Sequence, residues 1–317
     1  MDQLTMFQTQ DLPLFSGTAP RVTVEPYRKE EPMPTQLSMF APAPTKPSTR
    51  PTKAPKSVKG CHLIYQPKGR AREYAALACN VYSGCDHKCI YCYGPSVRRM
   101  SPDQFGESSR RSSFLRKLER EAAKYEAAGV RGQVHLCFTC DPYQHLDEKE
   151  QVTRRAIEIL HRHGLNVAIL TKGGSRALRD LDLFVDGDAF ASTLTLLDPD
   201  RSLEWEPNAA LPQDRIDTIR AFHDAGVPTW VSLEPVIDPD ASLEIIQQTH
   251  EFVDVFKVGK MNYHPIAKEI DWAAFARDAI QLLSDLGYAR ITDPDEAVEG
   301  QADHRLFYIK DDLAAYL

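Results

Sequence analysis

From about residue 60 onward, short apolar runs alternate with helical patterns, and this alternation constrains the fold more than any other feature of the chain. The apolar runs are typical of buried strands: ALACNVY, VHLCFT, LNVAILT, AFASTLTLL, PTWVSLEPV and DVFKVG. The helical stretches between them are SFLRKLEREAAKYEAAG, EKEQVTRRAIEILHRHG, a short one near ALRDLDLF, PQDRIDTIRAFHDAG and SLEIIQQTHEF. Such a series predicts an α/β fold with a parallel sheet, either an open doubly wound sheet or a full or partial barrel.

Polar clusters follow the first three predicted strands. In either architecture, functional residues gather at the carboxyl ends of the strands. GCDHKCIYCYG, residues 84–94 and called the cysteine loop below, follows the first strand, while TCDPYQ and TKGGS follow the next two. A further helix, WAAFARDAIQLLSDLG, and a strand, RLFYI, close the chain.

The first 58 residues differ in composition from the rest. They are rich in Pro, Thr, Ser and Gln and culminate in APAPTKPSTRPTKAPKS. Such a segment cannot bury enough apolar surface to offset the entropy lost on ordering. We therefore predict a disordered arm over residues 1–58 and a folded core with a C-terminal extension over residues 59–317.

The composition predicts a cytoplasmic globular protein. Hydrophobic residues make up 42% of the 317 residues. No apolar run approaches the ~18 to 20 residues of a membrane helix, and MDQLTMFQTQ lacks the features of a secretory signal. The seven cysteines are an odd number, which favours metal binding or catalysis over a disulfide framework.

Charge is distributed unevenly along the chain. Residues 1–140 carry 21 Lys+Arg against 12 Asp+Glu, whereas residues 141–317 carry 17 against 33. The stretch from Pro32 to Arg72 has no acidic residue and eight basic ones. More basic residues follow the cysteine loop: Arg98, Arg99, Arg110, Arg111, Arg116 and Lys117. A basic surface near the candidate site favours a polyanionic substrate; a solvated tail is the alternative.

Three cysteines, Cys85, Cys89 and Cys92, are crowded into the cysteine loop. A closed zinc site needs four ligands, typically from two separated pairs. His87 could supply one, but no second pair with zinc-ribbon spacing occurs in the sequence. A 4Fe-4S cluster normally takes four cysteines, so three would leave one iron open to another ligand.

The spacing of Cys85, Cys89, Tyr91 and Cys92 after the first strand resembles the C-x3-C-x-aromatic-C signature of the radical S-adenosylmethionine (SAM) superfamily. The resemblance is closest to the branch containing spore photoproduct lyase and its DNA-repair relatives. It is carried by NVYSGCDHKCIYCYG, FTCDPYQ, ILTKGGSRALRDLDLF, STLTLLD, EPNAALPQDRIDTIRAFHDAG and LEPVI. It implies a partial (β/α)6 barrel of TIM type, a 4Fe-4S cluster on the three cysteines and SAM on the fourth iron. Reduction by a flavodoxin- or ferredoxin-like partner then yields a 5′-deoxyadenosyl radical that abstracts hydrogen from the substrate.

The resemblance also implies roles for two tyrosines of the cysteine loop. Tyr91 is expected against the adenine of SAM, and Tyr93 is expected to join it in relaying a hydrogen atom. Ordinary aromatic packing over the cluster is the alternative for either residue.

Four further residues at strand ends are implied to bind SAM. Asp141 lies where the superfamily contacts the methionyl amine, and Lys172 is expected to neutralise the methionyl carboxylate. Ser192 and Glu234 are candidates for the ribose and methionyl groups. A turn-capping role for Asp141, and structural hydrogen bonds for Ser192 and Glu234, are the alternatives.

The chain departs from photoproduct lyases at the cysteine that returns a hydrogen atom to the product. That position is Phe138 here, and cysteines occur instead at 137 and 140. With a strand period of two, Cys140 would share a face with Phe138 and Cys137 would point the opposite way. Cys140 is therefore a candidate hydrogen donor or a small strand residue, and Cys137 is expected to be structural, as are the two remaining cysteines.

The arm contains repeated pentapeptides: QLTMF at Gln3–Phe7, DLPLF at 11–15 and QLSMF at Gln36–Phe40. They resemble the bacterial sliding-clamp-binding motif, and bulky apolar residues in a disordered segment rarely have an internal use. An arm that docks on its own domain, or coincidence, is the alternative.

Together these features predict a radical SAM enzyme that is tethered to the clamp and acts on DNA to repair or modify a base. Radical chemistry on tRNA, a peptide or a small molecule is the rival within enzymes. A non-catalytic iron-sulfur or zinc protein that is recruited to clamps is the rival outside them.

Overall fold

The computed structural model describes residues 55–297 and 305–317, so nearly all of the predicted arm, including its pentapeptides, lies outside the described residues. The described residues contain ten strands: β1 (Leu77–Ala78), β2 (Tyr82–Ser83), β3 (Ser109–Arg110), β4 (Gln133–Leu136), β5 (Asn166–Thr171), β6 (Ala189–Thr193), β7 (Thr229–Leu233), β8 (Val255–Val258), β9 (Ala289–Ile291) and β10 (Leu306–Ile309). Eight form one sheet in the order β1-β4-β5-β6-β7-β8-β10-β9, in which all neighbours are parallel. β2 and β3 form a separate antiparallel pair.

The first six strands of the sheet are the six predicted ones, and they form the predicted partial (β/α)6 barrel. The RLFYI run is β10, which extends the sheet beyond β8. β9 was not predicted, because it is three residues long and two of the three are exposed, so it has almost no apolar pattern.

Ten α-helices occur in the described part of the chain: α1 (Gly94–Arg98), α2 (Pro102–Gly106), α3 (Phe114–Ala127), α4 (His145–Glu150), α5 (Val152–Arg162), α6 (Pro199–Trp205), α7 (Pro212–Asp224), α8 (Pro239–Thr249), α9 (Trp272–Asp285) and α10 (Asp311–Ala314). The stretch predicted as one helix from residue 148 is split between α4 and α5, because Gln151 has a φ of 46°. The ALRDLDLF stretch lies in a 3-10 helix, Gly174–Leu183. In the described residues, no helix is both long and apolar enough to cross a membrane.

α3 shows why these stretches form helices against the sheet. Its buried residues are Phe114, Leu118, Ala122 and Tyr125, which recur at helical spacing and form one stripe. Burying each large side chain of this stripe stabilises the fold by about 1.5 to 3 kcal/mol. The glycine after α3, Gly129, has a positive φ of 67° and ends the helix.

The two faces of the sheet carry separate apolar clusters. Phe190 and Val231 pack with the helices in the larger cluster. Their neighbours Ala191 and Trp230 point the other way into a smaller cluster on the inner face, which also contains Tyr74. The period-two alternation along β6 and β7 therefore separates the helix-covered face from the barrel interior.

The chain before β1 spans the open side of the barrel. Residues 69–76, called the crossing segment below, begin with a 3-10 helix, Gly69–Glu73, and lead directly into β1. Arg70 contacts the opposite side of the opening, donating to Asp312 Oδ2 at 3.1 Å and to the Tyr263 hydroxyl at 2.6 Å. The crossing segment thus links the chain that follows β8 and β10 to the β1 edge of the sheet.

Candidate active site

The cysteine loop lies between β2 and α1 and is shaped by two glycines that pack on α2. Gly84 has a φ of 79°, and a Cβ there would lie 2.4 Å from the carbonyl oxygen of Phe105. A Cβ on Gly94 would lie 2.4 Å from the ring of Phe105. The same Phe105 carbonyl accepts the N–H of Cys85 at 2.9 Å. The glycines at both ends therefore allow the loop to close tightly over α2.

The chain that follows α6 holds the cysteine loop from the other side. The N–H of Ile90 donates to Trp205 O at 3.0 Å. Asn208 donates its N–H to His87 O at 3.2 Å and its side-chain amide to Asp86 O at 2.8 Å. These contacts tie the loop to the end of α6 and to the chain that follows it.

The three thiols of the loop are in surroundings that disfavour free thiolates. Burial raises the pKa of Cys89 to about 12, although nearby Lys172 lowers it. Burial also raises the pKa of Cys85 and of Cys92, and the N–H of Gly94 opposes this at Cys92 by donating to its Sγ at 3.3 Å. A bound cation would stabilise the thiolates that burial disfavours.

The donor set fits a 4Fe-4S cluster better than a zinc ion. In residues 55–297 and 305–317, no three Cys, His, Asp or Glu side chains converge on a single metal position. A cubane binds each thiolate at a different iron corner, so its ligands need not converge in this way. His87, the candidate zinc ligand, is engaged elsewhere, because its Nε2 lies 3.1 Å from Arg176 and its Nδ1 lies 3.5 Å from Asp141.

Asp141 joins the carboxyl ends of β4 and β5. Its Oδ1 accepts the Thr171 hydroxyl at 2.6 Å and the N–H of Tyr143 at 2.8 Å, and its Oδ2 accepts the N–H of Lys172 at 2.7 Å. Burial would raise the pKa of Asp141, but His87 and these hydrogen bonds lower it overall. The turn-capping alternative is thus present in the structure, and contact with the methionyl amine stays a prediction.

Lys172 lies beside the cysteine loop, as the resemblance implies. Its Nζ is 5.6 Å from the centre of the Tyr91 ring. Burial lowers the pKa of Lys172, but Cys89 and Glu206 outweigh this effect, so the pKa is raised and the side chain stays charged. The structure therefore places a cation beside the cysteine loop, and its contact with the methionyl carboxylate stays a prediction.

Ser192 and Glu234 both make hydrogen bonds within the protein. Ser192 is buried and donates its hydroxyl to Thr171 O at 2.9 Å. Glu234 Oε2 accepts the Tyr74 hydroxyl at 2.7 Å and also binds Lys310 Nζ. The structural alternative is present for both residues, and their contacts with SAM stay predictions.

Tyr91 is tied to a buried ion pair that no motif in the sequence indicates. Its hydroxyl donates to Glu206 Oε1. Glu206 Oε2 lies 2.5 Å from Arg215, and both residues are 1% exposed. The pair lies within the EPNAALPQDR segment, but a separation of nine residues across a loop gives no sequence signal of contact.

Tyr93 differs from Tyr91 because it is exposed, whereas Tyr91 is only partly accessible. Tyr93 is 47% exposed, and its hydroxyl donates to the carbonyl of Phe138 at 2.6 Å. Phe138 in turn packs on the ring of His135, with 4.3 Å between the ring centres. Tyr93 therefore lies at the accessible edge of the site.

The predicted opposition of Cys140 and Cys137 is wrong. β4 ends at Leu136, so a period of two does not extend through residues 137–140. Both thiols lie in the helix-side cluster, whereas Phe138 packs against the inner one. Cys140 Sγ accepts the N–H of Tyr82 at 3.4 Å. Cys140 is surrounded by apolar side chains, as expected for a packing residue. Donation of hydrogen by Cys140 stays a prediction.

Comparisons with known proteins agree with this geometry. The Radical SAM superfamily profile matches residues 79–253, more than half of the chain. An uncharacterized protein of Methanocaldococcus jannaschii is 23% identical over 185 residues, covering 57% of this chain and 69% of that protein. One of Mycobacterium tuberculosis is 26% identical over 166 residues, covering 50% of this chain and 48% of that protein. The chain thus spans about half of the mycobacterial relative.

Solved structures show the same fold at low sequence identity. A spore photoproduct lyase variant matches 80% of each chain with a TM-score of 0.56 and 15% identity. Another variant, with bound AdoMet and dinucleoside spore photoproduct, has a TM-score of 0.53 and 14% identity over 74% of this chain and 76% of that one. Streptococcus suis SuiB bound to S-adenosylmethionine has a TM-score of 0.50 and 14% identity over 73% of this chain and 49% of that one.

The profile match and the three-cysteine loop confirm the resemblance found in the sequence. The cofactors are a 4Fe-4S cluster and S-adenosylmethionine. The chain is an enzyme that belongs to the radical SAM superfamily.

Proposed function

We propose that this enzyme abstracts hydrogen from a DNA base, in a lyase-like repair or modification reaction. The cluster and SAM, when bound, supply a 5′-deoxyadenosyl radical for that abstraction. Cys85, Cys89 and Cys92 would hold the cluster, and Lys172 would balance the charge of the methionyl carboxylate. The support from other proteins is the fold shared with spore photoproduct lyase, one structure of which holds a dinucleoside photoproduct.

DNA is the proposed substrate because of an arginine-lined cavity. Most residues that line it follow the cysteine loop closely in the sequence. A cavity of about 100 Å³ is lined by Arg110, Arg111, Ser113, Phe114, Leu115, Arg116 and Val152. Arg110 lies on β3 and pairs with Tyr82 of β2, the strand that leads into the cysteine loop. A polyanion bound at this cavity would therefore be held beside the same hairpin that leads to the cluster ligands.

The arginines of the cavity are not fully neutralised by the protein. Arg110 pairs with Glu150 at 3.0 Å. Arg111 donates to the carbonyl of Asn80, and Arg116 donates to Ser113 Oγ at 3.2 Å. Within the described residues, neither Arg111 nor Arg116 has a carboxylate partner. Arginine with free donor capacity is well suited to phosphate oxygens.

The experiment uses the full chain, reconstituted anaerobically with iron and sulfide and then reduced. We expect about four irons per chain, none after Cys85→Ala, and 5′-deoxyadenosine production that increases with DNA. Stoichiometric zinc without iron would contradict the cofactor assignment. Stimulation by tRNA or a peptide instead of DNA would contradict the substrate class and leave the family unchanged.

The cavity is tested by the combined change Arg110→Gln and Arg116→Gln, with Arg120→Gln one turn along α3 as the control. Two lost phosphate contacts should weaken DNA binding and reduce the dependence of log affinity on log salt by about 2. Anisotropy titrations at several salt concentrations measure this. An unchanged salt dependence would remove the cavity from the DNA interface.

Tethering to a bacterial sliding clamp through Gln3–Phe7 and Gln36–Phe40 belongs to the same proposal. Its support is the sequence, since these residues lie outside the described part of the chain. Met39→Ala with Phe40→Ala should weaken clamp binding several-fold without changing cleavage of SAM. No measurable binding of the wild-type chain to the clamp would refute tethering.

A further inference from the structure

The ion pair beneath Tyr91 is enclosed by the protein on all sides that the structure describes. Glu206 and Arg215 are each 1% exposed. A buried ion pair is seldom better for stability than apolar residues of the same size, because both charges lose their hydration. Its presence next to the cysteine loop therefore points to control of geometry.

Arg215 connects the pair to two neighbouring strand ends. Its Nε donates to Ala210 O at 2.6 Å, and a terminal nitrogen donates to Thr193 O at 3.1 Å, at the end of β6. The N–H of Ala210 donates to Lys172 O at 2.9 Å, just past the end of β5. The planar guanidinium thus has a fixed orientation before it meets Glu206.

Glu206 transmits that orientation to the cysteine loop. One carboxylate oxygen faces Arg215 and the other accepts the Tyr91 hydroxyl. The preceding residue, Trp205, accepts the N–H of Ile90 at 3.0 Å. Tyr91 is therefore restrained twice, by the backbone hydrogen bond of the preceding residue, Ile90, and by the hydrogen bond of its own hydroxyl. Its ring has little freedom to rotate.

We propose that Glu206, held by Arg215, is a positioning residue that fixes the Tyr91 ring beside Lys172 as a rigid wall of the SAM site. In this arrangement the Tyr91 hydroxyl hydrogen is committed to Glu206, so Tyr91 does not relay hydrogen to the substrate. Tyr93, with its exposed ring, is the tyrosine of the loop that can do so. This inference deepens the proposed function and rests on the SAM site of that proposal, but not on DNA as the substrate.

The test is a double-mutant cycle on SAM affinity, with Tyr91→Phe on one arm and the apolar pair Glu206→Met with Arg215→Met, which leaves no acceptor for the Tyr91 hydroxyl, on the other. Neutralising both partners avoids an unpaired buried charge, which could prevent folding. The dissociation constant of SAM is measured on the reduced, cluster-loaded chain from the change in its EPR spectrum. Iron content and circular dichroism report cluster loading and folding, and Glu204→Gln, an exposed change on α6, is the matched control.

We expect each arm to weaken SAM binding roughly three- to tenfold, the factor expected for one lost hydrogen bond. The combined variant should be no weaker than either arm, because both remove the same contact. Tyr91→Phe should raise KM for SAM and leave the product profile unchanged. Multiplying effects, unchanged affinity in both arms, or a changed product profile for Tyr91→Phe would each overturn the proposal. Wild-type protein that takes up no iron would overturn the proposed function as well, whereas a non-DNA substrate would leave this inference intact.

Discussion

Two regions of the molecule each combine a tyrosine hydroxyl, a glutamate and a basic side chain, but with different consequences. Beneath the cysteine loop, the Tyr91 hydroxyl binds Glu206, which pairs with Arg215. Inside the barrel, the Tyr74 hydroxyl binds Glu234, which pairs with Lys310. The first group fixes the cysteine loop, and the second fixes the crossing segment over the open side of the barrel.

The two regions differ in the cation and in what surrounds it. Arg215 pairs with one carboxylate, and its Nε and one terminal nitrogen donate to backbone carbonyls. Lys310 is shared, because its Nζ also lies 3.2 Å from Glu73 of the crossing segment. Glu234 has a side chain that is 18% exposed, whereas Glu206 is enclosed. The comparison indicates a rigid support under the cysteine loop and a more adaptable one under the crossing segment.

The largest expected effect separates the two cations by stability. Arg215→Met leaves Glu206 buried without a partner and should lower the free energy of unfolding by about 3 to 5 kcal/mol. Lys310→Met should lower it by only about 1 to 3 kcal/mol, because water reaches Glu234 and Glu73 can take up a proton. Anaerobic urea unfolding followed by tryptophan fluorescence measures both, with Arg277→Met on the surface of α9 as the control. Equal losses of unfolding free energy for Arg215→Met and Lys310→Met would contradict the difference in rigidity between the two regions.

A smaller effect should appear as opposite responses to pH. Burial raises the pKa of Glu73, although Lys310 lowers it, so the stability from its protonated form is lost as pH rises through the folded-state pKa. Burial would also raise the pKa of Glu206, but Arg215 and Lys172 lower it overall, so its contribution is present near neutral pH and lost on acidification.

Glutamine substitutions make that difference measurable. Relative to wild type, Glu73→Gln should gain stability as pH rises above the ordinary glutamate value, while Glu206→Gln should lose stability over the same range. Urea unfolding midpoints of both variants and of the wild type, measured between pH 4 and 8, test this expectation. Parallel pH profiles for the two variants would show that the two carboxylates are in equivalent environments.

The smallest effect concerns the turn at residues 137–140, where the two regions meet. Phe138 of this turn accepts the Tyr93 hydroxyl and lies with its ring centre 6.1 Å from that of Tyr74. Because Cys137 and Cys140 lie in one buried cluster, we expect Cys137→Ala and Cys140→Ala to give the same product profile and to cost about 1 kcal/mol each. Side products from Cys140→Ala alone would instead establish Cys140 as a hydrogen donor.

Local sequence patterns are enough to predict the order of strands and helices and the position of the cysteine loop after the first strand. A strand can be predicted from its own apolar run, without knowledge of distant residues. Parallel strands then bring their carboxyl ends to the same edge of the sheet, whatever the details of side-chain packing. The spacing of Cys85, Cys89 and Cys92 is likewise a local property of one loop. Lys172 was found beside that loop for the same reason, since it follows β5 directly.

The tertiary structure determines which side chains pair across the site. Glu206 and Arg215 meet because the loop between α6 and α7 folds back on the end of β6, and Lys310 meets Glu234 because β10 pairs with β8. It also decided that Cys140 lies with Cys137, since β4 ends before either residue. These contacts depend on where chain segments end and return, and a pattern of hydrophobic periodicity does not encode that.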